Sequence, residues 1–98
     1  AVIAITQSLA HEVGQYGIRV NALCPGAVNG ELMERVIAER AAREGLSEEE
    51  VIRKNYTDVA ALRRWVEPEE VAATALAMAS DPFSAITGES VRIDCGRM

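Results

Sequence analysis

Few residues of this chain have an evident capacity for chemistry. They are one histidine, His11, two cysteines, Cys24 and Cys95, and the stretch N-A-L-C-P-G-A-V-N-G from Asn21 to Gly30. Zinc sites use sets of thiolate and imidazole ligands at paired spacings such as C-x-x-C. Cys24 and Cys95 are far apart, and a single histidine rules out a multi-histidine site. A reactive thiol needs a neighbouring base or cation to lower its pKa, and neither cysteine has a histidine in sequence reach. His11, between Ala10 and Glu12, reads as a surface or packing residue. No metal ligand and no catalytic residue is therefore assigned. The Asn21–Gly30 stretch is different in kind. It is a hydrophobic run stopped abruptly by Pro25 and Gly26. A turn accounts for that break alone, and the flanking residues decide whether it does more.

Composition sets the outer limits. The chain has 98 residues, 49% hydrophobic and 26% charged, with a formal net charge of -5. That suits one globular domain rather than a disordered segment. An acidic chain without a basic patch is a poor partner for nucleic acid or an anionic membrane. No apolar run approaches the roughly 20 residues of a membrane span, and no signal peptide opens the sequence. Both cysteines are expected to be reduced thiols in a cytoplasmic protein.

The elements that position the Asn21–Gly30 stretch follow from periodicity. Residues 1–14 predict a helix, with Val2, Ile5, Leu9 and Val13 as an apolar stripe and Ala1, Ala4 and Ser8 as a small-residue strip. Gly14 and Gly17 bracket its end. Residues 18–24 predict a strand that is apolar on both faces at its far end, as in a parallel sheet covered by helices. Residues 31–44 predict a charged amphipathic helix carrying Glu31–Arg35 and Glu39–Arg43 pairs. Gly45 ends it. Ser47 to Glu50 forms a capping box opening a short helix through Tyr56. Pro68 sits at the first position of another helix, after Glu67, with Val71, Ala75, Met78 and Ala79 facing a core. Asp81-Pro82 ends that helix, and a second strand starts at Ser90. Two strands among four helical segments indicate an α/β layer fold. Since two strands do not make a stable covered sheet, further strands are expected N-terminal to Ala1.

Four stretches in this order carry a resemblance: A-V-I-A-I-T-Q-S-L-A-H-E-V-G-Q-Y-G-I-R-V-N-A-L-C-P-G-A-V, the variable charged segment, R-R-W-V-E-P-E-E-V-A-A-T-A-L-A-M-A-S-D, and I-T-G-E-S-V-R-I-D-C-G. Together they resemble the C-terminal part of a short-chain dehydrogenase/reductase. The resemblance implies a fold, the C-terminal portion of a doubly wound, Rossmann-type parallel-sheet domain that binds NAD or NADP at strand C-terminal ends. Residues 1–98 are then a C-terminal fragment of one such domain. It implies that Pro25, Gly26, Ala27 and Val28 form the loop beside the nicotinamide. There Pro25 ends the ladder, Gly26 lets backbone approach a flat ring, and the Val28 peptide groups meet the carboxamide. Residues 30–56 correspond to a substrate lid. Met33, Val36, Ile37 and Tyr56 would shape an apolar substrate wall, or else pack as any amphipathic helix does, with Trp65 at the base of the lid. A homo-oligomer, tetramer or dimer, is implied as well, with a small-molecule alcohol or carbonyl as substrate.

The pattern departs from the family at definite places. Gly30 stands where the family often has a threonine whose hydroxyl helps hold the cofactor. Asp94-Cys95-Gly96 replaces the usual Asp-Gly-Gly, with Cys95 expected as a small packed residue. The family's general acid or base is a tyrosine in Tyr-x-x-x-Lys. Here Tyr16 is followed at that spacing by Val20 and Tyr56 by Ala60, and Lys54 is the only lysine. A glycine-rich phosphate loop is absent too. The resemblance therefore implies part of an NAD(P)-dependent oxidoreductase, this stretch inactive on its own. A noncatalytic oligomerisation or regulatory module derived from the same fold is the alternative.

Overall fold

The structure is a computed structural model and describes residues 1–97. Helix α1 spans Val2–Val13 and runs into a 3-10 turn over Gly14–Tyr16. Strand β1 is Ala22–Pro25. Helix α2 covers Glu31–Glu44 and α3 Glu48–Ile52, the latter extended in π geometry through Arg53–Thr57. Helix α4 is Pro68–Met78, and strand β2 is Ser90–Ile93. The strands pair in parallel, Ala22 opposite Ser90 and Pro25 opposite Ile93. The shape is long, 55 × 25 × 23 Å with a radius of gyration of 16.9 Å, where a compact chain of this length would have about 13 Å.

Most helix boundaries match their local signals. Gly45 caps α2 in the left-handed region at φ 69°. Ser47 Oγ accepts the Glu50 N–H at 3.1 Å. The return half of that capping box differs from expectation, since the Glu50 carboxylate meets the Ser47 hydroxyl, not its N–H. A second cap forms at α4, where Glu70 Oε1 accepts the Glu67 N–H at 3.0 Å. On α2 the pair that closes is Arg40–Glu44 at 3.2 Å. Among the described residues the predicted Glu31–Arg35 and Glu39–Arg43 pairs do not close.

The predicted strand is shifted. Its first half, Ile18–Asn21, is held by the turn before β2 and not by a ladder. The Val20 N–H donates to Thr87 Oγ1 at 3.0 Å, and the Gly88 N–H donates to the Val20 carbonyl at 2.7 Å. Arg19 donates to the Ile86 and Met78 carbonyls, while Asn21 bridges the Ile86 carbonyl and the Glu89 N–H. The polar residues of R-V-N thus tie the end of α4 and the I-T-G turn to the start of β1. Pro25, expected to end the ladder, lies within it. Its neighbour supplies the final bond, Gly26 N–H to the Ile93 carbonyl at 2.9 Å. In a parallel ladder that alternation turns the Pro25 nitrogen to the opposite edge, where a missing N–H costs nothing.

Burial is uneven. The core is Ile37, Ala41, Val51 and Tyr56, with Ala27, Met33, Leu46, Ile52 and Trp65 packed against it. It belongs to α2, α3 and the segments beside them. The apolar stripe of α1 is exposed instead, Val2 at 65%, Ile5 at 63% and Leu9 at 42%. Its buried residues are Thr6 and Ala10, on the face that meets β1 and Gly88. Thr6 satisfies its hydroxyl on the Val2 carbonyl at 2.7 Å. On α4 the predicted core face is only partly covered. Val71 and Met78 are half-buried, and Ala75 and Ala79 are exposed. Spacing identifies an apolar face but not what covers it.

Candidate functional site

The Pro25–Val28 loop leaves the C-terminal end of β1 beside the C-terminal end of β2. Carboxyl ends of parallel strands are where open α/β sheets bind ligands. The loop is tied down on one side. The Val66 N–H donates to the Ala27 carbonyl at 2.9 Å, and the Asn29 N–H donates to the Val66 carbonyl at 2.8 Å. Val28 therefore stands opposite Val66 in a parallel bridge. In such a bridge the flanking peptides make the bonds and the central residue turns its own N–H and C=O the other way. Among the described residues neither group of Val28 has a hydrogen-bond partner. One donor and one acceptor are thus presented side by side, the complement of a carboxamide.

Gly26 also makes a close approach within the chain itself. A Cβ built there would lie 2.7 Å from Asp94 Cβ and 3.1 Å from Asp94 Cα. The close approach is to the end of β2. Asp94 in turn organises the turn that follows, its Oδ1 accepting the Gly96 N–H at 2.9 Å. Cys95 is half-buried and has φ 56°, a left-handed conformation that glycine adopts freely and cysteine does not. Gly96, at φ 77°, has no room for a side chain, since a Cβ would come within 2.6 Å of Ala61 Cβ. The Ala61 and Leu62 N–H groups bond the Gly96 and Cys95 carbonyls at 3.1 and 3.0 Å. Cys24 is also a free, half-buried thiol.

The four substrate-wall candidates separate. Ile37 and Tyr56 are buried in the α2–α3 core, Met33 packs against it, and Val36 is exposed. Tyr56 stacks obliquely on Trp65, ring centroids 6.1 Å apart, and the Arg97 guanidinium lies 5.6 Å from its centroid. Ala27 reaches the same core, so the loop and the helical unit are joined.

Residues between the loop and α4 escape a sequence reading. Asn29 Nδ2 donates to both oxygens of Glu67 at 3.3 and 3.2 Å. Arg64 grips Glu70 in a fork, Nη1 to Oε1 at 2.6 Å and Nη2 to Oε2 at 2.9 Å. That fork, with the Glu67 N–H, lowers the Glu70 pKa to about 2. The E-P-E-E stretch signals the cap, but no local spacing signals Asn29.

The family model described as Enoyl-(Acyl carrier protein) reductase matches residues 1–97. D-beta-hydroxybutyrate dehydrogenase of Rhizobium meliloti (strain 1021) is 35% identical over 95 residues, covering 97% of this chain and 37% of that protein. Oxidoreductase UcpA of Escherichia coli (strain K12) is 39% identical over 96 residues, covering 98% of this chain and 35% of the relative. The chain thus spans little more than a third of the length of these relatives. Among solved structures, a short chain dehydrogenase family protein from Francisella tularensis subsp. tularensis SCHU S4 superposes with a TM-score of 0.88 at 33% identity, covering 97% of this chain and 39% of that one. The F189W actinorhodin polyketide ketoreductase, solved with NADPH, superposes with a TM-score of 0.82 at 29% identity, covering 97% and 36%. Parallel strands, the P-G loop at their C-terminal ends and these similarities agree on a partial Rossmann-type domain: the chain belongs to the short-chain dehydrogenase/reductase family.

Proposed function

We propose that the protein is an NAD(P)-dependent oxidoreductase interconverting an alcohol and a carbonyl, and that this chain supplies the nicotinamide-side loop and a substrate lid. The observation that carries the reading is the free peptide edge of Val28 at the C-terminal end of a parallel pair. The cofactor supplies the hydride. The N–H of Val28 would donate to the carboxamide oxygen and its C=O would accept from the carboxamide NH₂, orienting the ring towards the substrate. Pro25, Gly26 and Ala27 carry that edge into place. Residues 30–56 close over the substrate, with Met33 and the exposed Val36 nearer the ligand and Ile37 and Tyr56 holding the lid together. The stretch alone has no phosphate loop and no Tyr-x-x-x-Lys, so by itself it turns over no substrate. A homo-oligomer, tetramer or dimer, and a cytoplasmic setting complete the proposal.

The test uses the product of the complete reading frame. Fluorescence titration should give NADH or NADPH binding, and Val28→Pro, which deletes the outward N–H, should weaken it about tenfold. Parental affinity in a folded Val28→Pro variant would remove the loop from the cofactor site.

A further inference from the structure

The bonds that hold the candidate loop differ in kind. Two are backbone bonds to Val66, present whatever the side chains. The third, Asn29 to Glu67, is a side-chain bond across 38 positions, with both carboxylate oxygens in reach of one amide nitrogen. Its acceptor is charged, which strengthens a hydrogen bond relative to a neutral pair, here at the long end of the range. Glu67 is itself held. Its N–H is bound by Glu70 Oε1 at 3.0 Å, and Glu70 is gripped at two points by Arg64. A continuous chain of polar contacts thus runs from the exposed Arg64–Glu70 fork, through the start of α4, to the residue next to Val28.

We propose that Glu67 is a positioning residue: acting through Asn29, it holds the outward N–H and C=O of Val28 in the orientation a dinucleotide carboxamide requires. The inference rests on the reading of Pro25–Val28 as a dinucleotide site. Glu67 touches no reacting atom, so its loss acts on cofactor affinity and leaves the rate of the bound complex nearly unchanged. Because Glu67 is also the N-cap position of α4, removing it blindly would damage the helix. Serine keeps a good N-cap but is too short to reach Asn29. Glutamine keeps an acceptor oxygen at the same reach.

The experiment titrates NADH and NADPH into the complete reading-frame product and its Glu67→Ser, Glu67→Gln, Asn29→Ala and Glu67→Ser/Asn29→Ala variants. Amide exchange of Asn29 and Val51 is followed in each. Glu67→Ser and Asn29→Ala should each weaken binding five- to tenfold, and the double variant no further, since both cut one tether. Glu67→Gln should stay within about twofold of the parent. Asn29 exchange should quicken in the serine variant while Val51 is unchanged. Binding by Glu67→Ser within twofold of the parent, or additive losses in the double variant, would overturn the proposal. Faster Asn29 exchange with parental affinity would do the same, leaving a structural bond only. A parent that binds neither nucleotide would remove the reading of the loop itself, a separable failure.

Discussion

The α2–α3 unit is the more charged region and the helices of the two-stranded layer the more apolar one, yet it is the charged region that closes a core. In the first, Ile37 and Val51 are 2% and 0% exposed, and an aromatic pair and Arg97 close the end. In the second, α1 and α4 present Ile5 and Leu76 at 63% and 75% exposure, and among the described residues β1 and β2 pair only with each other. The difference lies in the range of the partners. Helices α2 and α3 are joined by the three residues Gly45, Leu46 and Ser47 and meet each other directly, so a local hairpin closes its own core. Helices α1 and α4 are shaped to cover a sheet wider than two strands. The candidate loop lies where the two regions meet, with Ala27 in the closed core and Gly26 against β2.

The largest expected effect breaks the closed region. Ile37→Ala should cost about 2–5 kcal/mol in urea unfolding, whereas Leu9→Ala on the open face should stay within about 0.5 kcal/mol. Equal costs would show that the two regions are not packed differently. The next effect lies at the joint. Gly96→Ala puts a methyl 2.6 Å from Ala61 Cβ at φ 77° and should destabilise by about 2–3 kcal/mol. One position earlier the sign reverses. Cys95→Gly relieves a left-handed cysteine at φ 56° and should raise stability by about 1 kcal/mol. Loss of stability in that variant would mean that the thiol packs better than its backbone is strained.

These residues show why a sequence discloses some features and hides others. Gly45, Ser47 and Pro68 mark helix ends because caps are local. The parallel pair and the P-G loop are legible through the order of their motifs. The burial of α1 is not, because its apolar stripe and its Ala1–Ala4–Ser8 strip are both regular and both largely exposed, while the face that meets β1 is a third one carrying Thr6 and Ala10. Arg19 and Asn21 read as the polar side of a strand, yet they bond a turn more than 60 positions away. Gly26 is legible as a close approach, but Asp94 as its object is not. Asn29 and Glu67 carry no signal, since no period links positions so far apart.

The smallest effect is an acid one. Glu70 has its pKa lowered to about 2 by Arg64 and the Glu67 N–H, below the roughly 4.3 of an unpaired glutamate. A depressed folded-state pKa contributes stability that is full above the unfolded value and lost as pH falls towards 2. Both side chains are exposed, so the contribution is screened by salt. Unfolding between pH 4.5 and 2 should lose part of its slope in Glu70→Gln and in high salt. An unchanged slope would show that the fork does not hold in solution.

The most direct test of the loop follows backbone amides by NMR as NADPH or NADH is added to the complete reading-frame product. The Val28 N–H, without a partner among the described residues, should show one of the largest shifts, while the Asn29 N–H stays protected on the Val66 carbonyl. Saturation by dinucleotide with Val28 unmoved would contradict the account.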